Sequence, residues 1–121
     1  MTTEATPEGA ARSDAGRRGR SRGRSRELAV MQHYRKHGYA AYRLAWGCAD
    51  VIAMRLLEGT EVKAAFELVQ VKATSKPYER FGPSDRAELL KEAQSVGAVA
   101  VLAWWPLRGQ LRLIPSSEWP S

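Results

Sequence analysis

Apolar side chains first recur at helical spacing in residues 26–37 (RELAVMQHYRKH), and Gly38 stands where a helix ends on a left-handed residue. Ser25 is the natural N-cap for this helix, and Glu27 falls in its first turn, where a carboxylate is favoured. Tyr39–Leu44 (YAAYRL) reads as a short strand, Trp46-Gly47-Cys48 as a turn and Asp50–Leu57 (DVIAMRLL) as a second strand. Glu58-Gly59-Thr60-Glu61 has the composition of a hairpin turn leading into Ala65–Thr74 (AFELVQVKAT), the clearest strand of the chain. Ser75–Pro83 is a loop with two prolines, after which Ser84 caps a helix, DRAELLKEAQSVG, ending at Gly97. Ala98–Trp105 is an apolar strand, and Gln110–Ile114 follows the turn at Pro106–Gly109 as a last one. The order α-β-β-β-α-β-β predicts an α/β domain, a mixed β-sheet with helices to cover it.

Charge is spread unevenly over this pattern. The chain of 121 residues carries a formal charge of +6, which points to a polyanionic partner but also suits ribosomal or membrane-surface proteins. Residues 1–26 hold seven arginines against three acids, a net of +4. Large apolar side chains are almost absent there, so residues 1–21 are expected to form a basic arm without fixed structure, ahead of a single domain at 22–121. Its RRGRSRGRSR run either pairs with phosphates, through Arg20, Arg22, Arg24 and Arg26, or is a solvated tail. No stretch has the ~20 apolar residues of a membrane helix, and the start of the chain has no apolar signal region. Cys48 is the only cysteine, which excludes an internal disulfide and fits a reducing cytoplasm, a host's if the chain is phage-encoded.

Side-chain alternation in the third strand supplies the candidate chemistry. Phe66, Leu68, Gln70 and Lys72 share one face, and Glu67, Val69 and Val71 the other. Gln70 and Lys72 therefore set an oxygen ligand beside a cation, the pairing a metal-dependent phosphodiesterase uses to hold its ion and to orient water or offset phosphorane charge. Asp50 opens the preceding strand. If the two strands pair through the 58–61 turn, Asp50 meets Gln70 and Lys72 at one edge of the sheet. Glu27, Met31 and Tyr34 lie on one helical stripe, the apolar one, which directs Glu27 inward. An inward carboxylate is costly unless it is paired or helps bind a metal.

The string RSRGRSRELAVMQHYRKHGYAAYRLAWGCADVIAMRLL, with AFELVQVKAT, DRAELLKEAQSVGAVAVLAWW and the closing LRLIPSSEW, resembles archaeal-type Holliday junction resolvases and their phage relatives. These are PD-(D/E)XK nucleases with a restriction-endonuclease-like fold, and the resemblance runs from about Arg22 to Trp119. It implies a catalytic set of Glu27, Asp50, Gln70 and Lys72, and Mg²⁺, replaceable by Mn²⁺, held by Glu27, Asp50, Gln70 and Val71. It also implies a homodimer acting on branched DNA, the four-way junction first, with flaps or nicks as alternative substrates. Two positions depart from the pattern. Gln70 stands for an acidic residue, and its neutral amide leaves either an enzyme with a looser metal site or a module that only binds nucleic acid. Ala49 stands where the family has proline.

Around this set, Trp46 and Cys48 in the turn before Asp50, and Lys76, Arg80 and Arg86 around the loop after the third strand, are candidate DNA contacts. Packing against the sheet and a solvated basic loop are the plain alternatives. The strand AVAVLAWW is either the interface of the homodimer or the core of one subunit. His33 and His37 have a zinc-like spacing but lack a third ligand, so a solvated helix face is expected.

Overall fold

The computed structural model describes residues 14–45, 47–57 and 63–120, with side chains from residue 23 onward apart from Lys63. Helix α1 (Asp14–Lys36) is followed by strands β1 (Ala40–Arg43), β2 (Val51–Leu57) and β3 (Lys63–Ala73). A single turn, α2 (Pro77–Arg80), precedes helix α3 (Pro83–Ser95); β4 (Ala98–Trp105), β5 (Arg112–Pro115) and a 3₁₀ turn (Ser116–Glu118) complete the order. The five strands lie in chain order, β1-β2-β3-β4-β5. All neighbours are antiparallel except β3 and β4, which run parallel with α3 as their crossover. This is the expected α/β class, a mixed sheet with helices on both faces.

One layer of core lies between α1 and the sheet, where Val30, Met31 and Tyr34 pack on Val51, Ala53, Val69, Val101 and Ala103. The other lies under α3, where Phe81, Leu89 and Ala93 pack on Leu68, Ala100 and Leu102. A strand covered on both faces has no reason to alternate, and β4 is buried from Ala100 to Ala103. Ala100–Ala103 thus belong to the core of a single chain, while Val99 on the same strand is half exposed. The closing segment folds back onto the α3 layer, with the Trp119 ring edge-on to Phe81 at 5.0 Å and its indole N–H donating to the Ile114 carbonyl.

Several boundaries differ from the sequence reading. Helix α1 begins at Asp14, so residues 14–21 are helical, while residues 1–13 lie outside the described region. Arginine and alanine are strong helix formers, and in this segment they outweigh Gly16, Gly19 and Gly23; Ser25 is therefore inside the helix and caps nothing. Its far end is as expected: Gly38 has φ +90°, and Tyr39 N–H donates to the Tyr34 carbonyl across it. Helix α3 starts two residues early, with Gly82 at the N-cap and Pro83 at the first helical position, where a missing N–H costs nothing. Ser84 is thus not its cap. The hairpin turn at 58–61 lies outside the described residues, but β2 and β3 pair as expected, from Val51 with Val69 to Leu57 with Lys63.

Candidate active site

Strand pairing fixes Asp50 before its side chain does anything. Its N–H donates to the Val69 carbonyl at 2.8 Å and its carbonyl accepts from Leu44 N–H at 2.9 Å. The β2–β3 ladder begins one residue later, at Val51, so Val71 N–H lies past the last paired residue. The Asp50 carboxylate takes that donor: Oδ2 accepts from Val71 N–H at 2.8 Å and from the Gln70 amide Nε2 at 3.0 Å. Asp50, Gln70 and the Val71 backbone therefore meet. They do so at the end of the central strand β3, not at an outer edge of the sheet, since β4 and β5 continue beyond it.

Burial is the largest influence on Asp50 and raises its pKa above the usual carboxylate range. Val71 N–H, Lys72 and Arg43 act against it. The Lys72 ammonium thus lies close enough to be felt by Asp50, as its place beside Gln70 on β3 requires. Glu27 reaches the same region from α1. Its side chain is 20% exposed and its Oε1 accepts from Arg43 Nε at 2.9 Å. Burial and then the negative charge of Asp50 raise its pKa; Arg43 and Arg24 oppose them. The Asp50 carboxylate is held by two N–H donors, from Gln70 and Val71, and together with the Glu27 carboxylate it offers oxygens of the hard kind that suit a small divalent cation. Among the described residues no group of three or more acidic, histidine or cysteine side chains gathers as a metal site. Position 70, beside Asp50, is an amide and adds no acidic group there.

Arg43 was not legible as the partner of Glu27. It stands 16 residues further along the chain and arrives through the pairing of β1 with β2, which sets Arg43 opposite Val51. The only available signal is its place as the last residue of β1, two residues past the buried Ala41.

The outlying candidates scatter. Arg24 and Arg26 are exposed on α1; Arg24 is felt by Glu27 and the Arg26 guanidinium lies 5.1 Å over the Trp105 ring. Arg20 and Arg22 belong to α1, but their side chains lie outside the described set, as does Trp46 altogether. Cys48 donates its thiol to Glu92 Oε2 at 3.2 Å. Burial and the acids Glu92 and Glu88 push it up to about 11, so the thiol faces negative charge. Gly47 permits that approach: it has φ +85°, and a Cβ there would meet Glu92 Oε1 at 3.0 Å. Lys76 and Arg80 are exposed, with Lys76 3.8 Å from Glu79. Arg86 is a correction. It is only 8% exposed, donates to the Phe81 carbonyl at 2.7 Å and lies over the Tyr78 ring, so it ties down the loop after β3 and is not presented to DNA. The histidine pair stays on the helix surface, with His37 Nδ1 2.8 Å from the His33 carbonyl.

Against known proteins, no family model matches the chain and no curated relative does. Among solved structures, it is similar to Hjc, a Holliday junction resolvase from the archaeal hyperthermophile Archaeoglobus fulgidus. The TM-score is 0.59 at 22% identity, over 79% of this chain and 74% of that one. The fold is that of Hjc. At this identity the Hjc likeness speaks for the fold: a mixed five-stranded, restriction-endonuclease-like sheet between helices. Among the described residues no helix is long and apolar enough to cross a membrane.

Proposed function

We propose that the protein is a Mg²⁺-dependent endonuclease of the PD-(D/E)XK type that hydrolyses phosphodiesters in branched DNA, four-way junctions first, as a homodimer. The observation that carries this reading is the gathering of Asp50 and Gln70, with Glu27 and Lys72 close enough to be felt, at one end of β3 on an Hjc-like fold, both carboxylates being desolvated. Asp50 and Glu27 would hold the ion, with the Gln70 amide oxygen and the Val71 carbonyl completing the donors; Mn²⁺ would serve in its place. Bound there, the ion would supply charge neutralisation at the phosphate and a water of lowered pKa. Lys72 places an ammonium beside the scissile phosphate, where it orients the attacking water and offsets the charge of the phosphorane. Arg43 holds Glu27 in position by its ion pair. The exposed arginines of α1 add sequence-independent, salt-sensitive affinity.

One observation favours a second reading, a nucleic-acid-binding module without cleavage. Gln70 turns its amide N–H, not its oxygen, to Asp50, which leaves two carboxylates where the resembled enzymes have three acidic groups. A labelled four-way junction and a linear duplex, incubated with Mg²⁺ or Mn²⁺, separate the two. The nuclease reading expects symmetric nicks in the junction that are lost in Asp50→Ala and Lys72→Ala. Equal cleavage by either variant would sink the assigned site; EDTA-insensitive binding with no cleavage under either ion would establish the module. Flap and nicked substrates in the same assay rank the alternatives, and sedimentation reads the dimer.

A further inference from the structure

Register places Lys72 opposite Trp104 on β4 and Trp104 opposite Arg112 on β5. Directly paired residues share a face of the sheet, so Lys72, Trp104 and Arg112 form one row across three strands. The Trp104 ring is fixed in place, because its Nε1 donates to the Thr74 carbonyl at 2.7 Å. The Arg112 guanidinium lies over that ring, 5.6 Å from its centroid, and the residue is exposed. No aspartate or glutamate occurs between Glu92 and Glu118, while Arg108 and Arg112 do. A guanidinium resting on an indole keeps its planar fork of donors and gives up less rotamer freedom when it grips a planar or tetrahedral oxyanion.

We propose that Arg112, seated on Trp104, is a phosphate-binding residue for the DNA strand that runs past Lys72. Adjacent strands are about 4.8 Å apart, which sets Lys72 and Arg112 about 10 Å apart along the row. Phosphates on one strand recur about every 3.4 Å of helix axis. Arg112 therefore meets a phosphate within about one to three nucleotides of the one at Lys72, depending on how the strand crosses the row. The position, but not the contact itself, rests on the reading of Lys72 as the residue beside the scissile phosphate. Arg112 binds and positions; it touches no reacting atom.

The test is binding of the full chain to a four-way junction and to a duplex in EDTA, where no cleavage occurs, over a series of salt concentrations. Single phosphates of the junction are replaced one at a time by neutral methylphosphonates. Arg112→Gln should lose affinity about tenfold and lower the slope of log K against log salt by about one, with an unchanged melting temperature. Arg112→Lys should keep the slope and recover only part of the affinity, since an ammonium is a point charge without the stacked fork. Wild type should lose affinity at a methylphosphonate position to which Arg112→Gln is indifferent, within about one to three nucleotides of the position to which Lys72→Ala is indifferent. An Arg112→Gln protein with the wild-type slope and the wild-type methylphosphonate profile overturns the proposal. So does a wild type that binds neither DNA, as an acidic protein partner would then be the better occupant. Because nothing is cut in EDTA, a mapped Arg112 contact in a protein that never cleaves leaves this inference standing while removing the nuclease reading.

Discussion

Replacing Asp50 by asparagine or by alanine separates its service to the fold from its service to the chemistry. In the folded protein Oδ2 accepts Val71 N–H at 2.8 Å and Gln70 Nε2 at 3.0 Å, and burial raises the pKa of the carboxyl. Alanine removes the acceptor and leaves a half-buried backbone N–H with nothing to bond, at about 1–3 kcal/mol. For a domain near 100 residues that is a fall in Tm of roughly 5–15 °C. Asparagine keeps an oxygen for Val71 N–H and discards the charge that burial disfavours. It should therefore melt within about 3 °C of wild type, or above it, in EDTA at pH 7. On the proposed reading both variants should be inactive on a four-way junction in Mg²⁺, because neither supplies the charge that would hold the ion. Thermal melting followed by circular dichroism, run beside the cleavage assay, reads both properties. Asparagine melting as low as alanine would show that the charge itself holds the fold together, and asparagine cutting at the wild-type rate would remove Asp50 from the metal site.

The same carboxylates predict a pH effect. Asp50 and Glu27 have folded pKa values above their ordinary 3.8 and 4.5, so the folded state holds their protons more tightly. Their contribution is fully present below those ordinary values and is lost as pH rises through the folded ones. Wild type should gain in Tm relative to Asp50→Asn as pH falls from 7 toward 4; a difference that stays flat refutes the assignment. Gln70→Glu sets a third carboxylate where an amide now donates to Asp50, and should lower stability in EDTA by about 1 kcal/mol or more while tightening Mg²⁺ binding. Calorimetric titration with Mg²⁺ checks this, and a variant that binds the ion more weakly would deny position 70 a role as ligand. Arg86→Lys loses the stacked contact with Tyr78 and the Nη1 hydrogen bond to the Phe81 carbonyl, and should destabilise by about 1–3 kcal/mol without altering the salt dependence of DNA binding. A reduced salt slope at unchanged stability would return Arg86 to the DNA surface.

Local pattern was enough wherever the environment is uniform. The unbroken apolar run predicts strand β4 over residues 98 to 105, and its middle, Ala100 to Ala103, is covered on both faces. Gln70 beside Lys72 followed from strand alternation alone, and the inward turn of Glu27 from helical spacing. What local pattern missed was set by pairing between distant segments. The bond from Arg43 to Glu27 depends on the register of β1 with β2, which no window of residues around Glu27 contains. Arg86 was read as a surface charge because the carbonyls it satisfies, on Phe81 and Tyr78, come to it only when α2 winds its single turn. The start of α1 was placed at Ser25 by capping chemistry, but propensity summed over the arginine-rich segment carries the helix back to Asp14.

Gln70 also bears on how the site is assembled. Glu27 and Asp50 already repel each other, and a third carboxylate beside them would have to wait for a cation or hold a proton. An amide escapes both requirements. It offers Asp50 an N–H, joins Val71 N–H on the same oxygen, and keeps that carboxylate aimed before any ion arrives. The consequence is a trade between geometry and affinity. On the proposed reading the Gln70 oxygen would reach a divalent ion only with the amide turned away from Asp50, at the cost of one hydrogen bond, and the site would offer one charge fewer than an all-carboxylate one. The wild-type protein should therefore differ little in stability between EDTA and Mg²⁺, whereas Gln70→Glu should depend on the ion to fold at full strength. Equal Mg²⁺ dependence of the two melting temperatures would show that the amide does no such work.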